Sequence, residues 1–524
     1  MLTQPLLPYP LLLRCLVAAL LATPALCLAA LPAAFDLDTL TQEARRLAAQ
    51  PWQPPRAVGN ARLAALSYDD YRDIRFKPAA SLWRAEGLPF ELQFFHAGRG
   101  NTLTPRLHEI VDGEVRPLAL PRSAFSYGRA AAAINGAAGN AEVAGFRVHY
   151  PLNDPAYKDE LAVFLGASYL RAIGAGQHYG LSARGIAVDT VGGAAGEEFP
   201  AFTAFWVERP ARDARELAIY ALLEGPRVTG AYRIKLRPGT ATEMDVEARV
   251  YARTGVATPI ATLGLAPLTS MFMGGENQPG PLQALGDFRP EVHDSDGLQI
   301  EGGDGEWLWR PLVNPGGAFV TSFAMPRGVR GYGLMQRDRA FASYQDPEAG
   351  YERRPGAWVV PRGDWGAGRI ELLQFHTPDE TNDNVVAYWV PAALPAPGEP
   401  LALAYTLRWQ GDAQQRPPGA WVTQSRAGRS HETPRPGELQ FNVDFTGPAL
   451  AALKPDAEPE PVVSGGDNAR ILFSTVSRLP QGTDRRMTIK LQRHDATRPV
   501  ELRAFLRHGT EVLSETWTYA VPPQ

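Results

Sequence analysis

Two stretches of this chain crowd carboxylates, amides and aromatic rings together. One reads Asp287-Phe288-Arg289-Pro290-Glu291-Val292-His293-Asp294-Ser295-Asp296-Gly297-Leu298, followed by Gly305-Glu306-Trp307-Leu308-Trp309-Arg310-Pro311. The other reads Asp379-Glu380-Thr381-Asn382-Asp383-Asn384-Val385-Val386-Ala387-Tyr388-Trp389. Breaking a glycosidic bond calls for two carboxyl groups, one to protonate the leaving oxygen and one to activate water or attack the sugar. Indole and phenol rings present flat apolar faces to the C–H faces of pyranose rings, with a polar edge left over. Arg, Asn, Asp and Glu suit sugar hydroxyls. A plainer reading stands beside this one. Asp and Asn are turn formers for local reasons, and the calcium-loop spacing D-x-D-x-D-G is absent from HDSDG. His293 suits a hydrogen-bonded structural position as well as a general base. Trp307 and Trp309 share one face of a strand, where core packing and sugar stacking are both open. The same choice applies to Trp358, Trp365 and Trp389.

Other chemistries find no support. The sequence holds no Walker loop, no dinucleotide fingerprint in a βαβ setting, and no HExxH or CxxC spacing. Ser322 and the other serines sit in no GxSxG elbow. No cofactor and no metal are expected. A formal net charge of −4 supplies no basic face, which argues against nucleic acid and against an anionic membrane surface as partners.

Elements must hold these residues in place. A chain of 524 residues predicts two domains. Its 50 glycines and 47 prolines are spread throughout and predict many turns, hence β-structure. The only cysteines, Cys15 and Cys27, lie in an apolar N-terminal segment with a single preceding Arg14 and a small-residue end, Cys27-Leu28-Ala29-Ala30. This reads as a secretory signal over 1–29, cut after Ala29 or Ala30, without a twin-arginine pair. A lipidated Cys27 fits less well, because Pro24-Ala25-Leu26 lacks a small residue just before it. A membrane anchor is the alternative, but the run is shorter than the roughly 20 residues a spanning helix needs. The mature chain would carry no thiol into an oxidising compartment. Apolar spacing predicts a helix over 35–50 and a second, short one over 67–73. Period-two runs predict strands near 90–95, 145–150, 216–223, 232–237, 242–251, 401–409, 438–445 and 487–492. The stretch AALPAPGEP reads as a linker at 393–400. It separates a domain over 30–392 from one over 401–524 whose size suits an immunoglobulin-like sandwich.

Several long motifs, in order, resemble the osmoregulated periplasmic glucan biosynthesis protein G/D family (OpgG and OpgD). They include Phe164 to Arg171, Tyr179 to Gly185, Phe199 to Glu208, Ala266 to Phe272, Phe288 to Gly297, Gly305 to Leu312 and Asp379 to Trp389. The missing twin-arginine signal makes the chain more similar to the G branch. The resemblance implies an all-β protein: a large N-terminal β-sandwich of the carbohydrate-active, galactose-mutarotase-like kind, joined to a small C-terminal immunoglobulin-like sandwich. It implies a periplasmic role in making a glucose polymer with a β-1,2-linked backbone, and inverting hydrolysis of that backbone in some members. The family's general acid falls on Asp383, its base on Asp294 with Asp296 close enough to compete, and a tyrosine of the proton path on Tyr351. Trp307, Trp309, Glu306, Arg310, His293, Glu380 and Trp389 are then the substrate-binding candidates. The loop expected to control water access is 411–431. Three roles follow: a β-1,2-glucan hydrolase, a non-catalytic glucan scaffold serving the inner-membrane synthase, or a branching transglycosylase.

Overall fold

The computed structural model describes residues 35–59, 61–132, 139–278, 281–428, 435–480 and 482–523. The expected signal over 1–29 lies outside them. The expected helix forms at Leu37–Ala48, where the Asp36 side chain accepts from the Thr39 N–H at 2.7 Å. Such a cap is worth about 1 kcal/mol. Leu37, Leu40, Ala44 and Ala48 turn inward onto Tyr220, Leu222, Ala231 and Tyr251. The second helix, Tyr68–Arg72, is capped by Ser67.

Each expected strand is present, and its alternation shows why. In Thr242–Ala252, Met244, Val246, Ala248 and Val250 are buried. Glu243, Asp245 and Glu247 between them face outward, ion-paired to Arg233, Arg237 and Arg408 on the neighbouring strands and to Arg362. Among the described residues a ten-stranded and a fifteen-stranded sheet carry most of the chain, and the large sandwich closes its core between them. The fifteen-stranded sheet does not stop at that sandwich. Trp307–Pro311 pairs in parallel with Thr516–Val521, Leu308 opposite Thr516 and Trp309 opposite Trp517. The sheet thus runs on into the smaller, immunoglobulin-like sandwich. There Leu502, Ala504, Trp517 and Tyr519 pack with Phe441, Val443, Met487 and Ile489 of a four-stranded sheet. No helix among the described residues is long and apolar enough to cross a membrane.

The boundary expected at 393–400 falls elsewhere. Pro400–Gln410 pairs with Thr242–Ala252 on one side and Gly356–Pro361 on the other, as an inner strand of the large sandwich. Its Leu403, Tyr405, Leu407 and Trp409 belong to that core. The Pro/Ala stretch is a surface connection within one sandwich, and the smaller one takes over only near Trp421. Spacer composition marks an exposed connection, whichever elements it joins. The segment 411–431 also differs from a loop: Trp421–Gly428 is a strand, and 429–431 lie outside the described residues.

Candidate functional site

Asp294 follows the short strand Val292–His293, which pairs with Phe272–Gly274. Its own N–H is tied to the Met271 carbonyl at 2.8 Å. Its side chain is buried and ion-paired with Arg354. Burial raises the Asp294 carboxyl above the ordinary range, and the Arg354 charge opposes that rise. Arg354 lies over the Tyr351 ring, 4.0 Å from its centroid. The Tyr351 hydroxyl in turn donates to Glu380 Oε2 at 2.7 Å. Glu380 also receives Arg289, which bridges to Asp287 and Asp346. A continuous polar array therefore runs from Asp294 through Arg354 and Tyr351 to Glu380, joining the two acid-rich stretches.

Asp383 reaches the same place from the opposite strand. The next residue, Asn384, is bolted down: its N–H donates to the Ser270 carbonyl at 3.0 Å, and its amide exchanges bonds with the Phe272 main chain at 2.8 and 2.9 Å. Asp383 keeps surface open to a cleft of about 190 Å³ that Arg184, Phe199, Thr269 and Glu197 also line. The protein around the carboxyl strips away enough water to push it up; the Asp294 charge adds to this and Arg184 opposes it. Arg171, whose guanidinium lies 4.1 Å from the Tyr179 centroid, draws both aspartates down. Two mutually repelling carboxyls, one enclosed and one open, are the arrangement that lets one hold a proton while the other stays charged.

Other candidates lie apart from this pair. Trp309 is buried under Arg337, 3.6 Å from its ring centroid, and Trp307 stacks on Trp358 at 5.9 Å. Glu306 pairs with Arg503 and accepts from Thr516, while Arg310 binds Thr518 and Glu501 at 3.0 and 2.7 Å. These four side chains serve the join between the two sandwiches. Trp389 is fully enclosed against Trp365 in the large core. His293 is fully enclosed too, stacked on Phe272 and bonded to Gln336 and Glu291 at 2.9 and 3.0 Å, so it braces the strand beside Asp294 and cannot touch substrate. Asp296 accepts the N–H groups of Arg337 and Asp338 at 2.9 and 2.8 Å, and burial pushes its carboxyl up to about 6. Behind His293, Glu276, Glu291 and Asp338 bring carboxylate oxygens within 4.8 Å of one another, a spacing that one cation or shared protons can neutralise. Burial lifts Glu276 to about 8 and Glu291 to about 7.

Arg354, Arg184 and Arg171 carry much of the electrostatics, yet an isolated arginine has no signature in sequence. Phe199 was equally hidden: it is 55% exposed on the Asp383 cleft, with Arg184 5.2 Å from its centroid. Its open ring, rather than a tryptophan, is the exposed flat face on the Asp383 cleft.

Residues 35–521 match the family described as Periplasmic glucan biosynthesis protein, MdoG. A glucans biosynthesis protein G of Ralstonia nicotianae is 51% identical over 94% of this chain and 96% of its own. Proteins of the same name from Pseudomonas paraeruginosa and Sodalis glossinidius are each 42% identical, over 93% and 96% of both chains respectively. By its sheets, by the motifs that meet at Asp294 and Asp383, and by similarity along nearly its full length, the chain belongs to the MdoG family of periplasmic glucan biosynthesis proteins.

Proposed function

We propose that the protein is exported through the signal over 1–29 and hydrolyses β-1,2-linked glucan in the periplasm, inverting the anomeric centre. Asp383, raised and open to the cleft, protonates the leaving oxygen. Asp294, held charged by Arg354, takes the proton of the attacking water, directly or through a further water, while Tyr351 and Glu380 hold Arg354 and Arg289 in place beside it. Phe199 supplies the stacking face, and Arg184 meets sugar hydroxyls beside it. The observation that carries this reading is the coupling of an enclosed, ion-paired aspartate to an open aspartate whose affinity for a proton is raised. Following the anomeric proton of the first product by NMR tests it. A new end born in the α configuration supports inversion, and a β end points to a glycosyl-enzyme and a transglycosylase. Asp294→Ala is expected to lower cleavage by about 10²–10⁴-fold, the usual worth of a general base.

A second reading has its own support. A carboxylate locked against a guanidinium is a poor base, and the Arg354 ion pair encloses Asp294. A glucan-binding scaffold that hands polymer on from the inner-membrane synthase would need no free base. Purified protein that binds glucan at high concentration and releases no reducing ends favours this role.

A further inference from the structure

One wall of the Asp383 cleft comes from the loop 189–198, which leads from the strand Ile186–Val188 towards the strand Ala201–Glu208. Thr190, Glu197, Glu198 and, just past its end, Phe199 line the cleft. By composition the loop is poor material for a wall. It reads Asp189-Thr190-Val191-Gly192-Gly193-Ala194-Ala195-Gly196-Glu197-Glu198, with much backbone freedom to lose and little apolar surface to bury. What holds it is at its two ends. Asp189 and Glu198 both pair with one guanidinium, that of Arg227, in the turn between Leu217–Glu224 and Val228–Arg237. Arg227 Nε donates to Glu198 Oε2 at 2.8 Å, and one terminal nitrogen donates to Asp189 Oδ2. The other donates to the Gly196 carbonyl at 3.3 Å, and the Arg227 main-chain N–H donates to Glu198 Oε1 at 3.1 Å. Asp189 Oδ1 meanwhile accepts the Ala261 and Thr262 N–H groups at 2.9 and 2.7 Å. The Glu198 N–H donates to the Val188 carbonyl at 2.9 Å and closes the loop. No side chain of the three is more than 7% exposed.

We infer that Arg227 is a positioning residue for the cleft: its fork grips both ends of the loop 189–198 and so fixes the Phe199 ring on the wall beside Asp383. Packing explains the triad poorly. Charged groups this deep give up their water, and apolar side chains of similar volume often replace them with no loss of stability. Apolar side chains do not fix direction, however. The planar guanidinium presents its donors in a set geometry, and here Nε and the two terminal nitrogens each meet a different residue of the loop. The base of the loop is constrained as well. Asp189 has a φ of +53°, in the left-handed region that residues other than glycine seldom enter. A Cβ added at Gly193 would stand 2.3 Å from the Asp189 Cβ, so the loop folds back tightly on its own base. Glu198 is thereby held inward on Arg227, and the next residue, Phe199, stands 55% exposed on the cleft. The inference rests on the reading of Phe199 as the face on which sugar stacks.

Arg227→Lys keeps a cation between the two carboxylates and loses the fork. Affinity for linear β-1,2-glucan oligosaccharides, measured calorimetrically in the Asp383→Asn background so that nothing is cut, should fall about fivefold. In the cutting enzyme KM should rise by a like factor with kcat hardly changed, because Asp383 is untouched. In Phe199→Ala the same substitution should weaken binding little further, since the ring it positions is gone. An equal fall with and without the ring overturns the inference, because Arg227 then acts elsewhere. A fall from Phe199→Ala with none from Arg227→Lys overturns it too. Should Arg227→Lys melt early, Glu198→Gln, which weakens one end of the grip and leaves Asp189 paired, takes its place in every measurement.

A second readout needs no sugar. In protein labelled with fluorophenylalanine, the Phe199 resonance, identified by its absence from Phe199→Leu, should shift or broaden in Arg227→Lys. An unmoved resonance overturns the inference whether or not the protein binds glucan. A moved resonance, with affinity unaltered by either Arg227→Lys or Phe199→Ala, supports the positioning role and removes Phe199 as the sugar face instead.

Discussion

The segments 287–296 and 305–311 are neighbours in sequence and alike in acids and aromatics, yet they serve opposite ends. The first folds into the polar array beside Asp383, where Asp294 pairs with Arg354 and Arg289 reaches Glu380. The second becomes the strand that carries the large sheet into the smaller sandwich, with Trp309 buried and Glu306 and Arg310 tied to that sandwich. Alternation separates them. Trp307-Leu308-Trp309 repeats with the period of a strand, which turns both rings towards the smaller core and Leu308 towards the larger one. The run His293-Asp294-Ser295-Asp296 has too many turn formers to continue a strand, so its acids sit where the chain bends between two short strands. Composition marks the chemistry available; period decides whether it faces a core or a substrate.

Substitutions at the join and in the cleft should separate stability from binding. The largest stability effect is expected from Trp309→Ala, which empties a buried ring site at about 3–5 kcal/mol. Thermal melts should show the loss, while the folded fraction keeps its affinity for glucan. Weakened glucan binding at full stability would place Trp309 in the groove after all. Phe199→Ala should do the reverse. It removes an exposed face, so melting should hardly change, but glucan affinity measured calorimetrically in an uncleaving variant should fall about tenfold. Unaltered affinity would strip Phe199 of its platform role.

The smallest effect concerns the acids at the join. Glu276 accepts the Ser425 N–H at 3.0 Å across the two sandwiches, and its carboxyl is held up to about 8 from an ordinary 4.5. Below pH 4.5 it is protonated folded or unfolded. Between that value and about 8 the unfolded chain ionises while the folded one resists, so stability declines as pH rises through this window. Glu276→Gln keeps the acceptor and removes the titration. Its melting temperature should vary less with pH, and near pH 8 it should exceed that of wild type by a few degrees. Parallel curves for the two proteins would show that Glu276 does not carry the dependence.

Much of this architecture is legible in the sequence because its strands alternate. Thr242–Ala252 and Pro400–Gln410 announce themselves by period two, and the helix at Leu37–Ala48 by its cap and apolar stripe. What the sequence hides is partnership. That Pro400–Gln410 enters the large sheet depends on contacts with strands about 50 and 150 residues away, which no local pattern encodes. The acids were legible as dense clusters. Arg354, Arg184 and Phe199 were not, because each gains its meaning only from a neighbour supplied by another part of the chain.

The most direct test of the account sets wild type and Asp383→Asn side by side on linear β-1,2-glucan, measuring new reducing ends and glucan affinity in the same preparations. The account predicts that wild type cuts, that the variant loses about 10²–10⁴-fold of the rate, and that both bind polymer alike. Binding by both proteins with no reducing ends from either would contradict it, and would leave the cleft a place where glucan is held and not broken.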